Sequence, residues 1–415
     1  MTFHEFRERL VARCGSEAAG ARHEIFFIMQ RRSWLPAALR GLLAAMRDAW
    51  LCLRLPAAAP LSASVVVVAS RRGASGLEAL RPLLRSLDEN RVPWTLVVHP
   101  RLRHTRGARP PARPAARAWR HAAAAFGMRL DMTGAEAFVV RCGLFRLRLW
   151  RGAWATTLCG GQGGLVLHND FELFAVAAIE AGAGRWDSLC VQHGLPTDEF
   201  FPTRARLQLV WGETSRTAYA RRGTAPAALL VGPKRSWPRA EVKAPVGIRL
   251  VSQTHTPVYG RSLAPDFLAL AEAIHKRFPD PDRFAILLHP EEIRLGHPYR
   301  GERLTAICRT PPHAELREGG RPALLVGFSS TALVEAACRG HLVIGMAWEV
   351  PASQAALTIG RPPLTAPDAE TLGPLLDRLL GDPSALAGAM AQQEEWLGRT
   401  FASGEAWLTE LRRWQ

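Results

Sequence analysis

Short runs of aliphatic and β-branched residues alternate along the chain with stretches in which apolar residues recur at helical spacing. The first two runs are SVVVVA at 64–69 and WTLVVH at 94–99, and the helical pattern GLEALRPLLRSLDEN lies between them. This strand–helix–strand order predicts a βαβ unit and therefore a parallel sheet. The order continues with apolar runs at 163–170, 188–194, 207–212 and 228–235, separated by helical patterns at 171–182 and 216–222.

A second series begins after the polar stretch PRAEVKAP, which suits a linker. Its apolar runs lie at 247–253, 284–290, 322–330 and 342–346, with helices predicted at 263–277, at 331–339 and over most of 367–415. The two series predict an α/β fold with two Rossmann-like domains, whose parallel sheets face each other across a cleft, and a helical C-terminal tail. The predicted parts are an N-terminal helical segment (1–60), the first domain (61–237), a linker (238–246), the second domain (247–385) and the tail (386–415).

The segment 31–56 predicts a helix or helical hairpin with two distinct faces. Apolar residues recur at helical spacing from Leu35 to Trp50, and Arg40, Arg47 and Arg54 recur every seven residues on another face. One interpretation is an interfacial helix lying on an anionic membrane. The other is a helix packed on the first domain with a solvated basic face.

The segment 101–120 interrupts the pattern because arginine and proline dominate it. Neither a strand nor a stable helix is expected there, so the segment is predicted to be an exposed loop. Such a loop could bind an acidic polymer or lipid headgroups, or be a solvated insertion. Trp119 is its only aromatic residue, so a base-stacking nucleic-acid surface is not favoured and no nucleic-acid partner is predicted.

Charge and cysteine content narrow the class of protein. The 415 residues carry a formal net charge of +16, and all but three of the 53 basic residues are arginine. Excess positive charge favours anionic partners such as phosphates, acidic glycans or anionic lipids. The seven cysteines are scattered without a C-x-x-C pair, which indicates reduced thiols and no structural metal. No signal peptide or transmembrane helix is expected, so the predicted location is cytoplasmic, with a peripheral position on the inner membrane face as an alternative.

Polar residues that follow the apolar runs are candidate site residues, since ligands of parallel α/β sheets bind beyond the carboxyl ends of the strands. In the first half, Asp170 and His193 follow two neighbouring runs. A carboxylate and an imidazole there suit general-base deprotonation of a sugar hydroxyl. Asp170 could instead cap the helix predicted at 171–182.

In the second half, the candidates suit phosphate and ribose binding. The turn formed by Ser329, Ser330 and Thr331 opens a helix and could bind a phosphate or simply cap that helix. His289, fixed by Pro290, could hydrogen-bond a leaving phosphate. The remaining candidates are Glu335, which could reach ribose hydroxyls or be a surface glutamate, and the strand-end pair Ser252 and Gln253.

Several catalytic motifs are absent from the sequence. The glycine-rich CGGQGG at 159–164 lacks the Gly-Lys-Ser/Thr ending of a Walker A loop. No G-x-S-x-G elbow is present, which argues against a serine hydrolase. No Asp-x-Asp pair follows a strand of the first half, which argues against a metal-dependent GT-A transferase.

The segments VLHND, VQHG, LVWG and LLVGPKR, followed by LLHPEE and VGFSSTALVEAACRGHLVI, resemble bacterial GT-B glycosyltransferases of envelope polysaccharide synthesis. That group includes polysialyltransferase-like enzymes, capsule Kdo transferases and CDP-glycerol glycerophosphotransferases. The resemblance covers about 165–350. Gln192 stands where the glycerophosphotransferases carry a tryptophan before their His-Gly element, and the acidic acceptor motif of sialyltransferases is not found.

The resemblance implies a GT-B fold and specific residue roles. His289, Ser329 and Ser330 would hold the phosphate of the donor, often a CMP sugar, while Glu335 would bind ribose and His193 would act as base. The hypothesis is a metal-independent glycosyltransferase that uses a nucleotide sugar and no further cofactor, with a glycan or lipid-linked acceptor. The alternatives are a nucleotide-sugar 2-epimerase, a glycerophosphotransferase of the same fold, and a non-catalytic protein that binds an anionic polymer.

Overall fold

The computed structural model describes residues 1–414 except for 31–34, 58–60, 62, 71–73, 103–106, 233–244, 246, 255–256 and 311–321. Within these residues the chain forms two parallel sheets flanked by helices. The linker predicted at 238–246 lies outside the described residues except for Pro245.

The first sheet is built from six parallel strands. They are β1 (Val65–Ala69), β2 (Trp94–Val98), β3 (Gly163–Leu167), β4 (Trp186–Val191), β5 (Leu207–Val210) and β6 (Leu229–Val231). Their order is β2-β1-β3-β4-β5-β6, so the direction of winding reverses between β1 and β3. All five residues of β1 are buried, as expected for an uninterrupted apolar strand covered on both faces.

The second sheet also has six parallel strands. They are β7 (Ile248–Val251), β8 (Phe284–Leu287), β9 (Cys308–Arg309), β10 (Leu324–Gly327), β11 (Leu342–Met346) and β12 (Thr365–Ala366). Their order is β12-β11-β10-β7-β8-β9, which is the strand order of the Rossmann fold. The winding reverses between β7 and β10, and ligands of such sheets bind at this switch point.

Helices cover both sheets and extend beyond them at both ends of the chain. In the first half they are α1 (Phe3–Cys14), α2 (Arg22–Gln30), α3 (Ala37–Leu53), α4 (Ala74–Glu89), α5 (Ala116–Ala123), α6 (Gly134–Thr157), α7 (Leu173–Gly182) and α8 (Glu213–Arg221). In the second half they are α9 (Ala264–Arg277), α10 (Pro290–Leu295), α11 (Glu302–Ala306), α12 (Thr331–Ala337), α13 (Gln354–Gly360), α14 (Ala369–Gly381), α15 (Pro383–Thr400) and α16 (Ala406–Arg412).

The N-terminal helices share one hydrophobic core with the first sheet. Phe3 and Phe26 are fully buried in the same cluster as Val66 and the α6 residues Trp150 and Trp154. These helices therefore cover the sheet rather than forming a separate body.

The segment 101–120 was predicted to contain no helix. Helix α5 begins at Ala116, so that prediction is wrong for the last five residues of the segment, 116–120.

A buried ion pair joins α3 to α6. Asp48 is 1% exposed, and its Oδ2 accepts hydrogen bonds from Arg146 Nε at 2.7 Å and from Trp150 Nε1 at 3.0 Å. Burial alone raises the pKa of Asp48, but the Arg146 and Arg47 charges outweigh that effect and lower it to about 2. The carboxylate is therefore charged in the folded protein at neutral pH and fixes α3 on α6.

The C-terminal tail returns from the second sheet to the first. The side chains of Trp407, Leu411 and Trp414 are buried in the cluster that contains β1 residues such as Val65. A Cβ atom at Gly164 of β3 would lie 2.3 Å from the Trp414 ring, so the ring lies directly on the strand. The tail thus completes the core of the first sheet.

The carboxyl edges of the two sheets meet each other. Asp198, which follows β4, and Ser353, which follows β11, exchange two backbone-to-side-chain hydrogen bonds of 3.2 and 3.1 Å. Leu195 and Leu333 share a hydrophobic cluster that spans both halves. The predicted fold class is confirmed: the described residues form two Rossmann-like α/β domains with facing parallel sheets and a helical tail. No helix in the described ranges has both the length and the apolarity needed to cross a bilayer.

Candidate functional site

Three polar residues form a row at the switch point of the second sheet. The register aligns the end of β7, Val251, with Leu287 at the end of β8 and Gly327 at the end of β10. The residues two positions beyond these aligned ends are Gln253, His289 and Ser329. The register therefore places three predicted site residues at equivalent positions beyond neighbouring strands: Gln253 of the strand-end pair, His289 of LLHPEE and Ser329 of GFSS.

Two hydrogen-bonding groups in this row are buried without a partner among the described residues. They are the Ser329 hydroxyl and the Gln253 Nε2, and Gln253 as a whole is only 7% exposed. Ser329 also has φ of 32°, a left-handed conformation that is uncommon for serine, and its carbonyl accepts a 3.0 Å hydrogen bond from Tyr259 Oη. Buried polar groups are nearly always paired, so these two, which lie beyond the carboxyl ends of neighbouring strands, are candidates to bind a polar ligand.

His289 is held at the N-cap of α10 with a defined ring orientation. Its Nδ1 accepts a 3.1 Å hydrogen bond from the Glu291 backbone N–H, and its own backbone N–H donates to Glu292 Oε2 at 2.8 Å. Pro290 occupies the first helical position. Because Nδ1 is the acceptor, the neutral ring carries its proton on Nε2, which makes that nitrogen a donor suited to phosphate oxygen.

The Ser252 hydroxyl contacts residues behind His289 instead of facing the carboxyl edge of the sheet. It binds Glu292, which in turn accepts the hydrogen bond from the His289 backbone N–H. The Ser252 side chain is 2% exposed and hydrogen-bonds Glu292 Oε1 at 2.9 Å and Tyr299 Oη at 2.7 Å. Burial raises the pKa of Tyr299, so that phenol stays protonated. The prediction that Ser252 binds the ligand finds no support in this geometry, because its hydroxyl is used within the network that fixes Glu292.

The residues that follow Ser329 have two different roles. Ser330 caps α12, since its Oγ accepts a 3.3 Å hydrogen bond from the Ala332 N–H, as the capping interpretation expected. Thr331 Oγ1 accepts a 3.0 Å hydrogen bond from the Leu195 N–H of the first half. Glu335 lies half-buried one turn further along α12. Thr331 therefore connects the two halves beside the row of Gln253, His289 and Ser329.

A second polar cluster lies at the switch point of the first sheet. Ser70 follows β1, and its hydroxyl donates to Glu172 Oε2 and accepts from Asn169 Nδ2 at 2.8 Å. Asn169 Nδ2 also contacts Glu172 Oε2 at 3.1 Å, and the Ser70 N–H contacts His168 Nε2 at 3.3 Å. His168, Asn169 and Glu172 are each less than a tenth exposed. This cluster brings a carboxylate and an imidazole to the edge that faces the second sheet.

His193 lies between the two polar clusters. Its ring stacks on Phe200, with centroids 5.3 Å apart, and stands perpendicular to His168 at 5.5 Å. Gly194 and Leu195 follow it directly and contact Thr331. The prediction that His193 lies at the edge between the halves agrees with this placement, and the two adjacent imidazoles offer a group that can accept a proton.

Asp170 lies away from this edge. It is 2% exposed, and its Oδ2 accepts hydrogen bonds from the N–H groups of Arg204 at 2.5 Å and Ala205 at 3.0 Å and from Gln208 Nε2 at 2.9 Å. Burial raises the pKa of Asp170 against the lowering effect of these donors. The geometry gives no support to the prediction of Asp170 as a base, because its carboxylate fixes the approach to β5. The N-cap of α7 is Glu172, so Asp170 is not a helix cap either.

The sequence interpretation missed Ser70, His168 and Glu172. Ser70 directly follows β1 and His168 directly follows β3, so the rule of strand carboxyl ends points to both. Glu172 carried no such signal, since it is placed at the edge by the start of α7 and by its contact with Ser70.

No protein-family model and no curated protein sequence matches the chain. Among solved structures, the MnaA protein of S. aureus in complex with UDP aligns with a TM-score of 0.48 at 10% identity, over 84% of this chain and 97% of its own. A candidate UDP-N-acetylglucosamine 2-epimerase of Listeria monocytogenes gives 0.48 at 14% identity, over 83% and 94%. HepE of Anabaena with UDP and glucose gives 0.45 at 11% identity, over 84% and 97%. At these identities and TM-scores the likenesses carry no argument about the activity of this chain.

Proposed function

We propose that this chain is a metal-independent GT-B glycosyltransferase that moves a sugar from a nucleotide-activated donor to a glycan or lipid-linked acceptor. The observation that carries the proposal is the row at the switch point of β7 and β10. There the buried Ser329 hydroxyl and the buried Gln253 Nε2 have no hydrogen-bond partner among the described residues, and His289 follows the neighbouring strand at the equivalent position. Such a row beyond parallel strand ends is where dinucleotides and nucleotides bind in Rossmann-like sheets.

The second half would hold the donor. Ser329, Ser330 and the His289 Nε2–H would hydrogen-bond the phosphate, Gln253 would pair with a further polar group of the nucleotide, and Glu335 would bind ribose hydroxyls. Negative charge grows on the phosphate oxygen as its bond to the sugar breaks. Hydroxyl and imidazole donors already in place would stabilise that charge without solvent reorganisation.

The first half would activate the acceptor. His193 would accept the proton of the acceptor hydroxyl as its oxygen forms a bond to the anomeric carbon. The electron pair of the breaking sugar–phosphate bond would leave with the nucleotide. His168 and Glu172 lie beside His193 and would orient the acceptor or share the proton.

Nucleotide-induced thermal stabilisation tests the donor site. The protein would be titrated with CMP, UDP, GDP and CDP, each with and without a chelator. At about 100 times its dissociation constant, a bound nucleotide adds about 2.7 kcal/mol of apparent stability. We expect one nucleotide to act selectively and equally with chelator, and CMP to identify a Kdo- or sialic-acid-type donor of the kind that the sequence resemblance implies.

Matched serine variants make this test specific. Ser329→Ala should remove most of the nucleotide-induced shift, while Ser403→Ala, which removes an exposed loop hydroxyl, should keep it. Absence of a shift with every nucleotide, or an unchanged shift in Ser329→Ala, would contradict the donor site.

A nucleotide-sugar 2-epimerase is the second candidate, because His168, His193 and Glu172 provide more than one proton-transfer group at a single edge. Epimerisation needs an acid and a base near the sugar but no acceptor. Nucleotide sugars that carry the stabilising nucleotide are incubated with the protein in the absence of an acceptor, and the products distinguish the two reactions. Isomerised nucleotide sugar would support the epimerase, whereas turnover that requires an added glycan would support the transferase.

A further inference from the structure

One face of α3 is apolar and exposed along the whole helix. Leu39, Leu43, Met46, Trp50 and Leu53 are 39, 48, 59, 49 and 57% exposed, and they account for five of the eight large hydrophobic residues that are exposed in the described chain. Their spacing of four and three residues places them on one side of a helix of about 25 Å. We call these five residues the α3 stripe.

The opposite face of α3 packs on helix α6. Gly41 lies against Val139 and Cys142 of α6, and Asp48 binds Arg146 and Trp150 of the same helix. The helix is therefore held rigidly with the α3 stripe facing outward. A contiguous exposed apolar surface of this kind marks an interaction site.

Arginines border the α3 stripe on one side. Arg47 has 43% of its side chain exposed, and Arg54 is exposed with its guanidinium carbon 3.9 Å from the centroid of the Trp50 ring. A tryptophan and basic side chains at the border of an apolar face are typical of helices that lie in the plane of a bilayer surface. The net charge of +16 adds long-range attraction to an anionic surface.

We propose that α3 is an interfacial membrane-binding helix of this protein. The α3 stripe inserts between the headgroups and acyl chains of an anionic bilayer, while Arg47 and Arg54 contact lipid phosphates. The inference goes beyond the proposed reaction and does not depend on the nucleotide site. Of the two interpretations that the sequence left open, it takes the interfacial helix, with the face opposite the α3 stripe packed on α6.

An anionic bilayer fits the α3 stripe better than a second copy of the chain. Five side chains about half exposed present on the order of 500 Å², whereas a standard protein interface needs about 800 Å² from each partner. Two copies that each carry +16 also repel one another, while anionic lipid attracts both.

Vesicle co-sedimentation of the full chain tests the proposal. We expect strong binding to vesicles of 30% phosphatidylglycerol in phosphatidylcholine, weaker binding to phosphatidylcholine alone, and loss of the difference at high salt. Met46→Glu should weaken binding at least tenfold. The control is Ile293→Glu, which places the same charge at a side chain of similar exposure (51%) in the second half and should bind like the parent protein.

A second pair of variants separates charge from apolar insertion. Arg54→Gln should lower binding to anionic vesicles and leave binding to phosphatidylcholine unchanged. Arg399→Gln, at an exposed arginine of α15, should change neither. Melting temperatures of all variants confirm that they are folded.

Three results would overturn the proposal. They are no vesicle binding by the parent protein, equal binding by Met46→Glu and the parent, and a dimer in light scattering that Met46→Glu dissociates. The last result would identify a second copy as the occupant of the α3 stripe. Nucleotide stabilisation is measured without vesicles, so failure of one proposal leaves the other intact.

Discussion

The backbone N–H of Leu195 donates a 3.0 Å hydrogen bond to the side-chain oxygen of Thr331. This bond joins the segment after β4 to the segment after β10, and so fixes His193 of the first half beside the turn at Ser329 in the second. The proposed proton acceptor and the proposed phosphate site, which belong to different domains, are thereby held at one edge. Positioning of this kind accounts for a large part of the rate enhancement in two-substrate reactions.

Gly194 is required for this contact, which gives a first prediction. A Cβ atom there would lie 2.8 Å from Thr331 Oγ1, so Gly194→Ala should push His193 away from the second half. We expect transfer activity to fall at least tenfold with little loss of thermal stability. Gly388→Ala is the control, because a Cβ there would meet no atom within 4 Å other than those of its own helix backbone and adjacent residues, and alanine favours its helix. Equal activity of both variants would show that the contact does not position the site.

Substitutions of His193 and Ser329 should change different quantities, the kcat in the first case and nucleotide binding in the second. His193→Ala removes the proposed base and should lower kcat by about 10²- to 10⁴-fold while keeping the nucleotide-induced thermal shift. Ser329→Ala should reduce that shift. His4→Ala, at an exposed histidine of α1, should change neither measurement. If His193→Ala removes the nucleotide-induced shift but leaves kcat at saturating donor unchanged, the two halves have the opposite roles to those proposed.

Asp170 should affect stability rather than chemistry. Asp170→Ala leaves three donors without their acceptor and should lower the free energy of unfolding by about 1–3 kcal/mol. Asp170→Asn keeps a carbonyl oxygen in the same place and should recover most of that loss. Urea unfolding measures the stability of both variants. In an activity assay without urea, the kcat of Asp170→Asn should stay within about threefold of that of the parent. A hundredfold lower kcat in a stable Asp170→Asn variant would instead establish a role as base.

Asp48 should make the protein sensitive to acid. Its folded pKa of about 2 lies below the ordinary value of 3.8. Its contribution is therefore complete above about pH 4 and is lost as pH falls towards 2, with a size of about 2 kcal/mol. Asp48→Asn leaves the buried Arg146 unpaired and should cost about 3–5 kcal/mol at pH 7.

The pH dependence of unfolding separates this carboxylate from the others. Between pH 4 and 2 the stability of Asp48→Asn should fall less steeply than that of the parent. The surface variant Asp131→Asn should leave both the stability at pH 7 and the slope close to those of the parent. An unchanged slope in Asp48→Asn would show that other carboxylates dominate the acid transition.

The sheets were predictable because their signal is local. A fully buried parallel strand such as β1 must be an unbroken apolar run, and VVVVA is one. Helix α6 gave no such signal, since arginines interrupt its apolar positions. Arg146 and Arg148 are buried there only because Asp48 and Glu17, about a hundred residues or more away in the chain, meet them in the fold. Pairing over that separation leaves no trace in a local pattern.

The location of the candidate site could be predicted from the sequence, but the identity of every residue that lines it could not. Strand ends pointed to His193, His289 and Ser329 because the edge of a parallel sheet follows from strand order. Which neighbour faces the edge depends on distant partners. Asp170 turns towards the backbone of Arg204, whereas Glu172 meets Ser70.

The return of the C-terminal tail has a consequence for folding during synthesis. The first sheet leaves the ribosome early, but its core includes Trp407, Leu411 and Trp414, and the Trp414 ring lies on Gly164 of β3. Until residue 414 has emerged, that sheet carries an uncovered apolar surface on a nascent chain of about four hundred residues. The first sheet therefore completes its hydrophobic core only after the C-terminal tail has been synthesised, well after its own last strand, which ends at Val231.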